Sequence, residues 1–129
     1  MKTVRQLLFL FATLILSQVA SAQLLGNWVL LDPSGGPAVP GATCTTDIHL
    51  ENGEIVGDIY IDFGDGHGPQ EVPDERSTFT MLDRTGLNYM WINARGTVGL
   101  TYWNSDLGRF ENLVLTGRNA GRVTVLRRA

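Results

Sequence analysis

The sequence predicts an all-β fold: an antiparallel meander, most simply a small up-and-down eight-stranded barrel, with a two-sheet β-sandwich as the competing architecture. Three observations carry that expectation. Runs rich in Val, Ile, Thr, Tyr, Phe and Trp recur about every 8 to 14 residues between clusters of Gly, Pro, Asn and Asp. Beyond residue 22 no window of helical length repeats its apolar residues near the helical period. Connections between runs are short, so neighbours in sequence pair as neighbours in space, and closing such a meander removes the two exposed edges that invite aggregation.

The chain begins with Lys2 and Arg5, the apolar run LLFLFATLIL (7–16), and then SQVASA ending in Ala20-Ser21-Ala22. This is the pattern of a secretory signal cleaved after Ala22. Its ten-residue apolar core is too short for the roughly 20 residues a membrane span needs. The expectation is a signal peptide over 1–22 and a single all-β domain over 23–129, secreted or periplasmic and without a stable membrane anchor. The predicted strands are 26–31 (GNWVLL), 46–51 (TDIHLE), 54–62 (EIVGDIYID), 76–82 (RSTFTML), 87–93 (LNYMWIN), 97–103 (TVGLTYW), 109–116 (RFENLVLT) and 121–127 (GRVTVLR). Alternation is cleanest in the second and third: Ile48 and Leu50 oppose Asp47, His49 and Glu51, and Ile55, Ile59 and Ile61 oppose Asp58, Tyr60 and Asp62. Asn52-Gly53 between them suits a type I′ hairpin, whose two central residues both need positive φ. Residues 32–43 (DPSGGPAVPGAT) carry no strand pattern and read as a long surface loop at one mouth of the sheet.

Charge is distributed unevenly. From Gln23 to Glu75 there are ten acidic residues and no Lys or Arg; from Arg76 onward there are eight arginines against Asp83, Asp106 and Glu111, leaving the segment after residue 22 at −5. The negative sign argues against nucleic acid as a partner. The two halves are expected to neutralise one another where their strands lie side by side, with self-association through the same charges as the second option. Whether Arg95, Arg109 and Arg118 converge on an anionic group is left open. The single cysteine, Cys44, excludes an internal disulfide and reads as a half-buried thiol beside Thr43 and Thr45.

Around the first strand the sequence LLGNWVLL sets Gly26-Asn27-Trp28 at the opening of the fold, and the chain closes on arginines in VTVLRRA. This resembles lipocalins and the shorter lipocalin-like (calycin-type) domains of secreted bacterial proteins, over the two ends of the domain and the strand count between them. The resemblance implies that Trp28 plugs the closed end of a barrel and that Arg127 or Arg128 packs across it as a cationic cover. It also implies a binding function for a small apolar ligand, with no cofactor. LTYWNSD (100–106) is similar to a stretch of avidin-type barrels. In a barrel, Ile48, Ile59, Phe79, Tyr89, Trp91, Leu100 and Tyr102 are the expected inward side chains. The ligand-binding candidates are Trp28, Tyr89, Trp91, Tyr102 and Arg127.

No catalytic residue is expected and the chain does not read as an enzyme. His49 and His67 are not at metal-pair spacing, no Cys/His cluster exists, and there is no G-x-S-x-G elbow. The stretch DFGDGHG (62–68) reads as a turn. YIDFGDG resembles the turn of polycystic-kidney-disease-type sandwich domains, which would imply an extracellular interaction module instead. Its aspartates also resemble acidic loops that hold Ca²⁺, although counting from Asp62 an EF-hand meets His67 at its sixth place and Pro73 at its twelfth.

Overall fold

The computed structural model describes residues 23–64 and 73–129. The expected signal peptide and most of the 62–68 turn lie outside the described residues. Eight strands follow in order: β1 (Gly26–Leu31), β2 (Thr43–Glu51), β3 (Glu54–Asp62), β4 (Glu75–Met81), β5 (Asn88–Asn93), β6 (Val98–Asn104), β7 (Arg109–Val114) and β8 (Val123–Arg128). Each pairs antiparallel with the next, and β8 returns to β1 in the register Trp28↔Arg128 to Leu31↔Val125. That last ladder makes the sheet a closed barrel and rules out the sandwich, since a sandwich would leave β1 and β8 as edges.

The β2–β3 hairpin turns through Asn52 and Gly53 at φ of 52° and 81° with Glu51 opposite Glu54, so the I′ expectation holds in both residues. β2 starts three residues earlier than the alternation suggests, because Thr43, Cys44 and Thr45 pair with Asp62, Ile61 and Tyr60. The Pro- and Gly-rich segment before it is not a loop lying free on the surface. Leu31 bridges Pro37, the Ala38 amide donates to the Leu30 carbonyl at 3.4 Å, and Ala38 and Ala42 are buried. Their small side chains let the backbone fold back across the end of its own strand.

Because directly opposed residues share a face, the registers sort the barrel into inside and outside. Inward positions include Trp28 and Leu30, Cys44, Thr46 and Ile48, Ile55 to Ile61 by alternate residues, Glu75, Ser77 and Phe79, Tyr89, Trp91 and Asn93. Gly99 and Thr101, Phe110, Asn112 and Val114, and Thr124 and Leu126 complete the circle. Leu100 and Tyr102, expected inside, face outward: Leu100 stands opposite Met90 and Leu113, Tyr102 opposite Asn88 and Glu111. In TVGLTYW the inward residues are Gly99, Thr101 and Trp103, so apolar character alone places the pleat one residue out of phase.

Two inward glycines give space to rings on the next strand. A methyl group on Gly99 would stand 2.1 Å from Trp91 Cζ2 and 2.7 Å from the Leu113 carbonyl oxygen; one on Gly57 would meet Phe79 Cε2 at 2.8 Å. Trp91 and Phe79 therefore lie flat against bare backbone, the usual reason for glycine inside a strand.

The expected neutralisation between the two halves is largely absent among the described residues. Arg76 on β4 alone crosses it, with Nε and Nη2 on the Asp58 carboxylate at 2.7 and 2.9 Å and Nη2 on Glu51 at 2.9 Å. Hydrogen bonds from Arg76 hold the Asp58 carboxyl below its ordinary range. Arg109 pairs instead within its own half, with Glu111. The reason is topological: β8, which carries Arg127 and Arg128, lies against β1, which has no acidic residue.

Candidate functional site: the barrel mouth

The two ends differ in their longest connections: none exceeds six residues at one end, whereas three of the four at the other run to eight or more. At one end the turns are 52–53, 82–87 and 105–108; at the other the connections are 32–42, 63–74, 94–97 and 115–122. The short-turn end is filled. Leu24 and Tyr89 are fully buried there, with Trp28, Ile48, Phe110 and Leu126 nearly so. Phe110 meets Trp28 and Trp103 edge to face, with ring centroids 5.8 and 5.0 Å apart. Burial of each large side chain contributes about 1.5–3 kcal/mol. Trp28 Nε1 donates to the Leu24 carbonyl at 2.8 Å, which satisfies its polar edge.

Across this plug lies Arg128, its guanidinium carbon 3.9 Å from the Trp28 ring centroid. Nη1 and Nη2 donate to the carbonyls of Leu25 and Gln23, both at 2.6 Å. Any Cβ at residue 26 would stand 2.5 Å from Arg128 Nη1, and Gly26 adopts φ of 131°. The G-x-W spacing thus has a local cause: Gly26 clears the path of the arginine that covers Trp28.

The long-loop end is hollow. A cavity of about 550 Å³ opens there, lined toward the barrel interior by Leu30, Ile59, Trp91, Glu75, Asn93 and Asn112 and toward its rim by arginines 95, 118 and 122. Beneath it a smaller chamber of about 70 Å³ reaches Ile48, Phe79 and Leu126. The larger volume is in the range of small-molecule sites. Polar groups run down one wall: Thr101 Oγ1 donates to Asn112 Oδ1, and Asn112 Nδ2 donates to Thr124 Oγ1 at 3.4 Å. Opposite, Asn93 Oδ1 accepts the amides of Arg95 and Thr97, both at 3.0 Å, which turns its Nδ2 toward Glu75 Oε1 at 2.5 Å. Trp91 Nε1 is a buried donor with no acceptor among the described residues. Cys44, on the same lining, is buried rather than half-buried, and burial pushes its thiol up.

The five ligand-binding candidates do not come together. Trp91 lines the mouth cavity. Tyr89 belongs to the plug, its ring edge-to-face with Phe79 and its hydroxyl donating to the Gly86 carbonyl at 2.7 Å; burial pushes its pKa up to about 12. Trp28 and Arg127 border a groove on the outside of the plugged end, with Arg127 opposite Val29 on the outer wall. Of the two arginines proposed to cover Trp28, Arg128 does so. Tyr102 lies on the outer wall, its hydroxyl donating to Glu111 Oε2 at 3.2 Å. The arginine question also resolves: Arg95 and Arg118 share the mouth with Arg122, while Arg109 is at the opposite end.

Glu75, Asn93, Asn112 and Thr124 were not legible as lining, because polar residues at inward positions break the alternation used to find inward positions. Among the described residues no group of three or more His, Cys, Asp and Glu side chains is arranged to hold a metal ion. Asp62 Oδ1 accepts the Gly64 amide at 2.8 Å, a turn contact; the remainder of the acidic stretch is outside the described residues. The closed eight-stranded meander is consistent with a calycin-like fold. The chain matches no protein-family model, no curated protein and no solved structure.

Proposed function

We propose that this protein is an exported, lipocalin-like binding domain that takes a small, largely apolar ligand into the barrel and performs no chemistry on it. The observation that carries this reading is the contrast between a plugged end and an open cavity of about 550 Å³ with Trp91 on its floor. A barrel that served only as a rigid body would gain stability by filling that space, since interiors otherwise pack to crystal-like density. Export rests on the Lys2/Arg5, apolar-run and Ala-Ser-Ala sequence pattern. The test is native mass spectrometry of the secreted form after incubation with a lipid extract, read alongside tryptophan emission. A retained adduct with an emission shift is expected; a clean mass across varied extracts would overturn the reading.

A second reading, self-association, is favoured by the outer wall. Met90, Leu100, Leu113 and Val123 stand side by side across β5 to β8, with Ile92 and Val98 forming the next row. Met90 and Ile92 are 40% and 48% exposed. Contact through such a row is apolar rather than charge-driven, so sedimentation should depend on protein concentration and not weaken with salt. A monomer at all concentrations would dismiss it.

A further inference from the structure

The geometry points to a ligand that is an amphipathic anion: an apolar or aromatic body resting on Trp91, Ile59 and Leu30, and an acidic head held at the rim by Arg95, Arg118 and Arg122. This deepens the binding reading above and rests on it. Among the described residues the cavity lining carries three arginines and one carboxylate, Glu75. Glu75 is engaged by the Asn93 amide, whose orientation is fixed by the two backbone donors on its oxygen. Arg122 is anchored through Nη2 to the Ala38 carbonyl, which places its charge at the rim; the Asp32 carboxylate, held down first by its Ser34 hydrogen bonds, feels that charge without pairing with it. Neither Arg95 nor Arg118 forms an ion pair among the described residues. Three guanidinium groups around a concave, partly apolar opening focus a positive potential there.

The chemistry discriminates between ligands of one shape. A neutral body entering the cavity strips water from the arginines and gives nothing back. An acid of the same shape accepts charge-assisted hydrogen bonds from them, and Arg presents its donors in a fork that matches carboxylate, sulfonate and phosphate oxygens. The net charge of the chain is negative, so attraction of an anion has to be local to this rim.

A matched pair tests this on the secreted form: 1-anilinonaphthalene-8-sulfonate and N-phenyl-1-naphthylamine share one aromatic skeleton and differ by the sulfonate. The sulfonate is expected to bind about tenfold tighter or better at low salt, with the ratio shrinking as salt screens the rim. The double variant Arg95→Ala/Arg118→Ala should bring the ratio toward one. Arg127→Ala, which removes the same charge on the outer wall at the plugged end, should leave it high. Circular dichroism of each variant establishes that it is folded. Equal binding of both probes by the unaltered protein, or a ratio lost equally in Arg127→Ala, would overturn the anion inference while leaving the cavity reading standing. Binding of neither probe would overturn both.

Discussion

The two ends of this barrel use the same kinds of residue to opposite effect. At the plugged end an indole gives its N–H to the Leu24 carbonyl, and an arginine lies over the ring with two carbonyls to donate to. Among the described residues at the mouth, an indole has no acceptor for its N–H and two of the three nearby arginines have no carboxylate partner. Tryptophan and arginine are therefore a structural pair at one end and, among the described residues, the unpaired lining of a cavity at the other. What decides between the two roles is how much chain surrounds them. The turns and the Gln23–Leu25 segment close over Trp28, whereas Trp91 lines a cavity that the described parts of the mouth connections leave open.

The largest expected effect tests that contrast directly. Trp28→Ala should lower unfolding free energy by about 3–5 kcal/mol, as for a large core aromatic. Trp91→Ala should cost about half as much or less, because one face of its ring already borders empty volume. Urea denaturation of both variants gives the comparison, and equal losses would break it. Next in size, Gly99→Ala should cost about 2–3 kcal/mol, since the added methyl meets Leu113 backbone as well as the Trp91 ring. Gly57→Ala meets the Phe79 ring edge most closely, with Thr46 Oγ1 next at 3.4 Å and no backbone nearer, and should cost about 1 kcal/mol.

Tyr89 provides a pH signature confined to the plugged end. Its native pKa is raised to about 12 by burial, against an ordinary value near 10. A raised native pKa means that its contribution is fully present below about pH 10 and is lost as pH climbs toward 12. Thermal midpoints across that interval should fall more steeply for the unaltered protein than for Tyr89→Phe. Parallel curves would remove Tyr89 from the account. The arginines should differ in the same sense: Arg128→Ala should cost about 1–2 kcal/mol through its ring and carbonyl contacts, while the smallest effect, at Arg118→Ala, should stay within about 0.5 kcal/mol. A comparable loss at Arg118 would mean that the mouth arginines support the fold after all.

Much of the barrel was legible because β-strands with one wet face announce themselves. EIVGDIYID and TDIHLE alternate cleanly and Asn52-Gly53 fixes their hairpin; the first appears with its expected bounds and the second within a strand that begins three residues earlier. TVGLTYW misled because its inward position is a glycine and its outward position a leucine, so hydrophobicity pointed the wrong way. Gly99 is nevertheless a readable sign that a neighbouring ring approaches the backbone. The candidate site was less legible. Trp91 was found from its type, but Arg95, Arg118 and Arg122 sit in two separate turns, and only closure of the barrel brings the 94–97 and 115–122 connections to one rim. Charge counting by halves failed for a related reason: the ladder that closes the barrel sets the arginines of β8 against β1, which carries no acid.

Closure by β1 and β8 also fixes how the protein can be presented to its surroundings. Gln23 accepts a hydrogen bond from Arg128, and the Ala129 amide donates to the Asn27 carbonyl at 3.0 Å, so both ends of the described chain leave from the plugged side. Anything joined directly at Gln23 or Ala129, whether an affinity tag, a fusion partner or a surface tether, starts on the side away from the opening. An immobilised sample would stand with its cavity toward the solvent.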